Sequence, residues 1–214
     1  MCPMKNNHGL FISFEGGEGV GKSTQVALLA ESLRQRGYTV ITTREPGGSE
    51  TAEQIRQIIR AKSEIEMDAI TESLLIFAAR RDHYVKLIKP QLQKGNIVIC
   101  DRFFDSSLVY QGVLENVPIT QLMFLKQMAL EDFEPDITFV LDIPSDIARQ
   151  RALGRQLSFD KYDKMPADNY EIIRNGFLKL AQVFDYRTVL INSIGNIHNI
   201  ADKILNKYIL PKLH

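Results

Sequence analysis

The sequence predicts an α/β fold in which a parallel sheet is covered on both faces by helices. Short apolar runs alternate with longer segments of helical periodicity along all 214 residues. The runs Leu10–Phe14, Ile97–Cys100 and Ile137–Leu141 are nearly continuously apolar, the pattern of strands buried on both sides rather than half-exposed. No repeat, low-complexity tract or linker-like change of composition interrupts the alternation, so residues 1–214 read as one domain.

Taken in order, Leu10–Phe14 is a strand that ends at a cluster of glycines. After Lys22, the residues Val26, Leu29, Ala30 and Leu33 recur at i, i+3, i+4 and i+7, which is one face of a helix. Gly37 follows as its C-terminal stop. Tyr38–Thr43 reads as the second strand, and Pro46-Gly47-Gly48 as a turn leading into a helix over about 50–61. Thr71–Lys94 has helical composition, with Pro90 expected to kink or shorten its last turn. The third strand, Ile97–Cys100, ends at Asp101, and a helix spans about 119–130. The fourth strand, Ile137–Leu141, ends at Asp142. Tyr170, Ile173, Phe177, Leu180, Ala181 and Phe184 form another helical stripe. A strand over Thr188–Ile191 and a helix over about 198–207 close the chain. In folds of this class ligands bind at the carboxyl ends of the strands, which directs attention to the residues just after each run.

Charge and composition exclude several classes of function. Lys and Arg number 26, as do Asp and Glu, so there is no overall pull toward nucleic acid or an anionic membrane. Any recognition of anions must be local. No apolar run approaches the roughly 18–20 residues that span a bilayer, and Met1–Gly9 lacks the apolar core of a signal peptide. The two cysteines, Cys2 and Cys100, form no disulfide framework and fit a reducing cytosol. The expectation is a cytoplasmic protein that partners neither nucleic acid nor membrane.

The strongest chemical signal lies between the first strand and the first helix. Gly16-Gly17-Glu18-Gly19-Val20-Gly21-Lys22-Ser23 fits G-x-x-x-x-G-K-[ST], and Thr24 continues into the helix. The glycines let backbone N–H groups turn inward around phosphate oxygens, and the helix adds its positive N-terminal end. Lys22 is placed to reach the β- and γ-phosphates, and the Ser23 hydroxyl to ligate Mg²⁺. The four fixed positions coincide by chance in about one chain of this length in a hundred. The strand–loop–helix context makes the match specific for nucleotide phosphate. No guanine-reading Asn-Lys-x-Asp accompanies it, since Asn206-Lys207 is followed by Tyr208-Ile209. After the third strand, Asp101 supplies an acid near the metal, and Arg102 a guanidinium suited to an acceptor that is itself a phosphate.

The motifs occur in the order found in thymidylate kinases. Phe14-Glu15-Gly16-Gly17-Glu18-Gly19-Val20-Gly21-Lys22-Ser23 is followed by Thr43-Arg44-Glu45-Pro46-Gly47-Gly48. Phe77-Ala78-Ala79-Arg80, Asp101-Arg102-Phe103 and Tyr110-Gln111-Gly112 come next, and the chain resembles that family from about residue 10 to its last helix. The resemblance implies a three-layer P-loop kinase fold and phosphorylation of dTMP to dTDP by ATP with Mg²⁺. It further implies direct in-line transfer, a role in dTTP synthesis, and a homodimer.

Carried over residue by residue, the resemblance assigns ATP to Gly16–Thr24 and the metal to Ser23 and Asp101. Glu18 meets the acceptor sugar near its 3′-hydroxyl. Arg44 and Arg102 surround the phosphates, although Arg44 equally suits an ion pair bracing the turn at Gly47-Gly48. Phe77 is expected to stack on thymine, and either Arg80 or Arg81 to read a base carbonyl. Phe77 with Arg81 satisfies an i, i+4 spacing, whereas Ala78-Ala79-Arg80 followed by His83 better matches the bacterial wording. Ser106, Ser107, Tyr110 and Gln111 match the segment around base and deoxyribose, with Tyr110 helping to exclude a 2′-hydroxyl. The phosphate loop itself carries no arginine, so the chain resembles the bacterial type whose catalytic arginine comes from a lid, here about 149–164. Arg151 and Arg155 are the candidates beside Lys22 and Arg102. Asp160-Lys161 stands where many relatives have Asp-Arg, and lysine cannot clamp phosphate bidentately.

Overall fold

Five parallel strands form one sheet in the order β2-β3-β1-β4-β5 in the computed structural model, which describes residues 9–60, 67–154 and 165–213. The strands are β1 (Phe11–Glu15), β2 (Val40–Arg44), β3 (Ile97–Asp101), β4 (Ile137–Asp142) and β5 (Thr188–Asn192). Helix α1 (Lys22–Gln35) joins β1 to β2, and α2 (Glu50–Arg60), α3 (Ala69–His83) and α4 (Lys89–Gln93) lie between β2 and β3. Next come α5 (Phe104–Ser107) and α6 (Ile119–Leu130) before β4, and α7 (Ser145–Leu153) and α8 (Ala167–Val183) before β5. Helices α9 (Ile197–Lys203) and α10 (Leu210–Leu213) end the chain. The fold is therefore the expected α/β one, a parallel sheet between helices.

The near-continuous apolar runs fall on the three central strands. Phe11, Ile12, Phe14, Val98, Ile99, Phe139 and Val140 have no solvent exposure. Strands β2 and β5 lie at the two edges and are mostly half-buried or exposed, with one fully buried residue each, because an edge strand has helices over only part of its surface.

The helix expected over 71–94 begins two residues earlier, where Asp68 caps it by accepting from the amides of Ile70 and Thr71 at 3.0 Å each. It continues through a π-helical turn, Tyr84–Ile88, into α4. The change of register immediately precedes Pro90, whose missing N–H breaks the regular i→i−4 ladder there. A second π-helical turn, Leu108–Leu114, follows α5 and carries Tyr110 and Gln111. Neither α5 nor α7 stands out in the sequence, because each is short and has only a brief apolar stripe.

The chain leaves β1 in one direction, passing β3 to reach β2, and leaves β3 in the other, passing β1 to reach β4. The carboxyl ends of β1 and β3 thus form the point where the winding reverses, and a crevice opens there. Register brings the chemistry to one level: Arg44 and Phe14 both pair with Asp101.

Candidate active site

The loop after β1 wraps around the N-terminus of α1. Gly16, Gly19 and Gly21 all have positive φ. At Gly19 the need for glycine is also steric, since a Cβ would lie 2.1 Å from the Ala148 carbonyl oxygen of α7. The phosphate loop and α7 are therefore in direct backbone contact. Val20 is buried under the loop, Gly17 and Thr24 are half-buried, and Ser23 is exposed at the first turn of α1. The buried Lys22 ammonium curls back to donate to the Gly16 and Gly17 carbonyls at 3.1 and 2.6 Å, which shapes the loop around it.

Ser23 donates its hydroxyl proton to Asp101 Oδ2 at 2.6 Å. These two hard oxygens fit a partial Mg²⁺ ligand set, of the kind completed by substrate phosphates and water. Among the described residues, no group of three or more His, Cys, Asp or Glu side chains forms a metal cage.

Arg102 directly follows β3 and has φ 70, a left-handed conformation that costs a non-glycine residue about 1–2 kcal/mol. That turn sends its guanidinium back across the sheet edge toward the phosphate loop. Nη1 donates to the Gly16 carbonyl at 3.0 Å and to Ser106 Oγ at 3.1 Å. Nη2 donates to Glu18 Oε1 at 2.6 Å and to the Tyr110 hydroxyl at 3.0 Å. Burial works against the charge on Glu18, but Arg102 and then Lys22 hold its carboxyl below the usual range. Burial raises the Tyr110 phenol well above its ordinary value, so it stays a hydrogen-bond donor and donates to Glu18 at 3.2 Å.

One cleft joins these groups to α2 and α3. Glu18, Lys22, Ser23, Arg44, Asp101, Arg102, Ser106, Ser107, Tyr110 and Gln111 all line it. Arg44 also realises its other reading, donating to Glu53 at 2.9 Å while Glu53 accepts from the Gly48 amide at 2.9 Å. The Glu45-Pro46 peptide in this turn is cis.

The face of α3 turned to the cleft differs from the one expected. Glu72, Ile76 and Arg80 line it at i, i+4 and i+8. Of the two candidate arginines, Arg80 is the one in the cleft. It is buried and held by Glu45 at 2.6 Å, Ser107 at 3.1 Å and the Phe103 carbonyl at 3.2 Å. Phe77 and Arg81 lie one residue further round the helix and outside the cleft lining, contrary to the expected stacking and base-reading roles. Phe77 packs edge-on against Phe104 in the core, with ring centroids 6.1 Å apart, and the Arg80 guanidinium lies 4.7 Å from its ring centroid. Arg81 donates to the Ala129 carbonyl of α6 at 3.0 Å and its side chain is 46% exposed. On this helix the apolar residue in the cleft wall is Ile76.

The sequence also does not single out Arg56 and Arg60 of α2, which line the cleft as well. Their i, i+4 spacing just after the glycine turn is the signal that could have found them. Arg149 and Arg151 are exposed on α7, whose Ala152 touches the cleft. Arg155 and most of the expected lid lie outside the described residues.

The family model described as thymidylate kinase matches residues 14–204 of this chain. The chain belongs to the thymidylate kinase family. Thymidylate kinase of Bartonella quintana (strain Toulouse) is 44% identical over 201 residues, covering 92% of this chain and 94% of that protein. Thymidylate kinase of Symbiobacterium thermophilum is 38% identical over 205 residues, covering 95% of each. The crystal structure of thymidylate kinase from Ehrlichia chaffeensis superposes with a TM-score of 0.77 at 32% identity, covering 94% of this chain and 98% of the other. The family's P-loop kinase fold is thus the fold of this chain.

Proposed function

We infer that the cleft holds both nucleotides of a dTMP kinase reaction, with the donor on the phosphate loop and the acceptor against Arg102. The chain phosphorylates dTMP to dTDP in dTTP synthesis, taking the phosphoryl group from ATP by in-line transfer. The bond between the γ-phosphorus and the β–γ bridging oxygen breaks as a dTMP phosphate oxygen forms its own bond to that phosphorus, leaving ADP. The second pKa of a phosphate monoester is about 6, so the attacking oxygen is already largely deprotonated at neutral pH. No general base is needed, and catalysis rests on positioning and on neutralising charge.

The observation that carries the reading is the cluster of Glu18, Arg102 and Tyr110 set beside Lys22 and the loop carbonyls. In this reading Gly16–Thr24 hold the ATP phosphates, and Lys22 moves from the Gly16 and Gly17 carbonyls onto phosphate oxygens. Arg102 and Arg44 meet the phosphates, and Glu18 accepts from the acceptor sugar. Ile76 packs on the base, Arg80 reads it, and Ser106, Ser107, Tyr110 and Gln111 border base and deoxyribose. Ser23 and Asp101 would hold Mg²⁺, which when bound neutralises phosphate charge and orients the donor. Arg151, with Arg155, supplies the arginine that the loop lacks.

We also propose that the chain is a cytoplasmic homodimer. The outer face formed by α3 and α6 exposes Ile70, Leu74, Met123, Phe124 and Met128, a contiguous apolar patch of the kind that marks an interface. No described helix is long and apolar enough to cross a membrane.

A panel of nucleoside monophosphates in an ADP-release assay tests the acceptor assignment. dTMP is expected to be the best substrate, and a larger kcat/KM for AMP or UMP would reject it.

A further inference from the structure

Glu15 is the last residue of β1 and is fully buried, yet no step of the transfer uses it. Both of its carboxylate oxygens engage the turn that begins at Arg102. Oε1 accepts from the Phe103 amide at 2.7 Å, and Oε2 and the Ser106 hydroxyl are hydrogen-bonded at 2.6 Å. The same Ser106 oxygen accepts from Arg102 Nη1 at 3.1 Å, while Nη2 faces Glu18 and Tyr110 in the cleft. A left-handed backbone at a non-glycine residue persists only where its surroundings over-determine it. Here the Arg102 amide bonds the Phe14 carbonyl at 2.9 Å, and the next amide bonds Glu15.

We propose that Glu15 is a positioning residue for acceptor binding: it fixes the left-handed turn at Arg102 and orients Ser106, and so sets how tightly the dTMP phosphate is held. The proposal rests on the reading that Arg102 meets that phosphate. The groups facing Glu15 are Asp105 of α5, Arg102, Lys22 of α1 and the Cys100 thiol of β3. Burial, and then the nearby Asp105, push the Glu15 carboxyl up to about 8. At pH 7 it is therefore largely neutral, its carboxyl proton lying on the Oε2–Ser106 hydrogen bond so that the carboxyl rather than the hydroxyl donates there, and it adds no negative charge beneath the phosphate. As the pH rises through 8 it ionises and competes with the phosphate for Arg102, so acceptor affinity falls.

Calorimetric binding of dTMP and of Mg²⁺-ATP, each measured alone at pH 7 and pH 9, tests this in the full chain. Glutamine imitates the neutral carboxyl, because its carbonyl accepts from Phe103 and its amide donates to Ser106. Glu15→Gln is expected to bind dTMP within about threefold of the parent at pH 7 and more tightly than the parent at pH 9. Glu15→Ala is expected to lose about tenfold or more in dTMP affinity and less than about twofold in ATP affinity. Equal loss of both nucleotides in Glu15→Ala, or an unchanged pH dependence in Glu15→Gln, overturns the proposal. If Glu15→Ala does not stay folded, the glutamine comparison at the two pH values decides alone. Arg102→Ala separates the two ideas. If it leaves dTMP affinity unchanged, the reading of Arg102 as a phosphate ligand fails. If it weakens dTMP while both Glu15 variants match the parent, the positioning role alone fails.

Discussion

Lys22 and Arg102 are neighbouring cations in one cleft, and their surroundings shift them in opposite directions. Burial, together with the Arg102 charge, lowers the Lys22 ammonium to about 8. Burial also opposes the charge on Arg102, but Glu18, Tyr110 and Asp101 outweigh it and raise its pKa. In the free enzyme Lys22 therefore loses its proton as the pH rises through about 8, whereas Arg102 stays charged. Because kcat/KM reports the free enzyme, kcat/KM for ATP should fall above that pH. A profile flat up to pH 10 would contradict the assignment of Lys22 to the donor phosphates. Lys22→Ala should lower kcat by about a hundredfold or more while changing dTMP affinity only slightly, since it removes charge that acts in the transition state. The role of Lys22 is legible in the sequence because its partners are the contiguous residues of one loop. Arg102 is legible because it directly follows a recognisable strand. Its left-handed backbone is not, because that conformation depends on Phe14 and Glu15, which are close to it only across the sheet.

Helix α3 shows how two candidate faces of equal spacing are decided. Both Phe77 with Arg81 and Ile76 with Arg80 satisfy i, i+4, and a rotation of about 100° separates them. Packing chooses between them: Phe77 goes into the core against Phe104, and Arg81 reaches the Ala129 carbonyl near the C-terminus of α6. Ile76→Ala is therefore expected to raise KM for dTMP, with a stability loss no larger than that of Phe77→Ala because Ile76 borders the cleft. Phe77→Ala should instead lower the melting temperature, by the equivalent of about 3–5 kcal/mol, through the cavity it leaves. Differential scanning fluorimetry and steady-state kinetics on the two variants separate these outcomes, and a KM effect confined to Phe77→Ala would reverse the assignment. Helix α7 offers a second case. It abuts the phosphate loop at Gly19 and carries Arg151 on its exposed side. Arg151→Ala should reduce kcat far more than dTMP affinity, and equal turnover in the variant and the parent would remove Arg151 from the reaction.

The whole molecule has no net formal charge, yet its cleft gathers Lys22, Arg44, Arg56, Arg60, Arg80 and Arg102. Glu18, Glu45, Glu53 and Asp101 lie among or beside them. Substrate phosphates therefore enter a site in which Arg44, Arg80 and Arg102 are already held in place by carboxylates, which limits nonspecific attraction of other polyanions. The apolar patch on α3 and α6 is the other large-scale feature. Phe124 is 65% exposed in the single chain. Phe124→Glu should shift the chain from dimer to monomer in analytical ultracentrifugation, and a parent that sediments as a monomer would refute the dimer.

The amino-acid sequence by itself determined the alternation of buried strands and helices, the phosphate loop, and the residues that directly follow β1, β2 and β3. All of these are local patterns, set by periodicity, by glycine geometry or by adjacency along the chain. Tertiary structure alone decided that Ile76 rather than Phe77 faces the cleft, that Arg56 and Arg60 join it from α2, and that Glu15 stands beneath Arg102. Each of those outcomes depends on how far a helix is rotated or on which strands lie side by side. Side-chain packing and strand order bring together residues as distant in sequence as Glu15 and Ser106, and no local spacing encodes that.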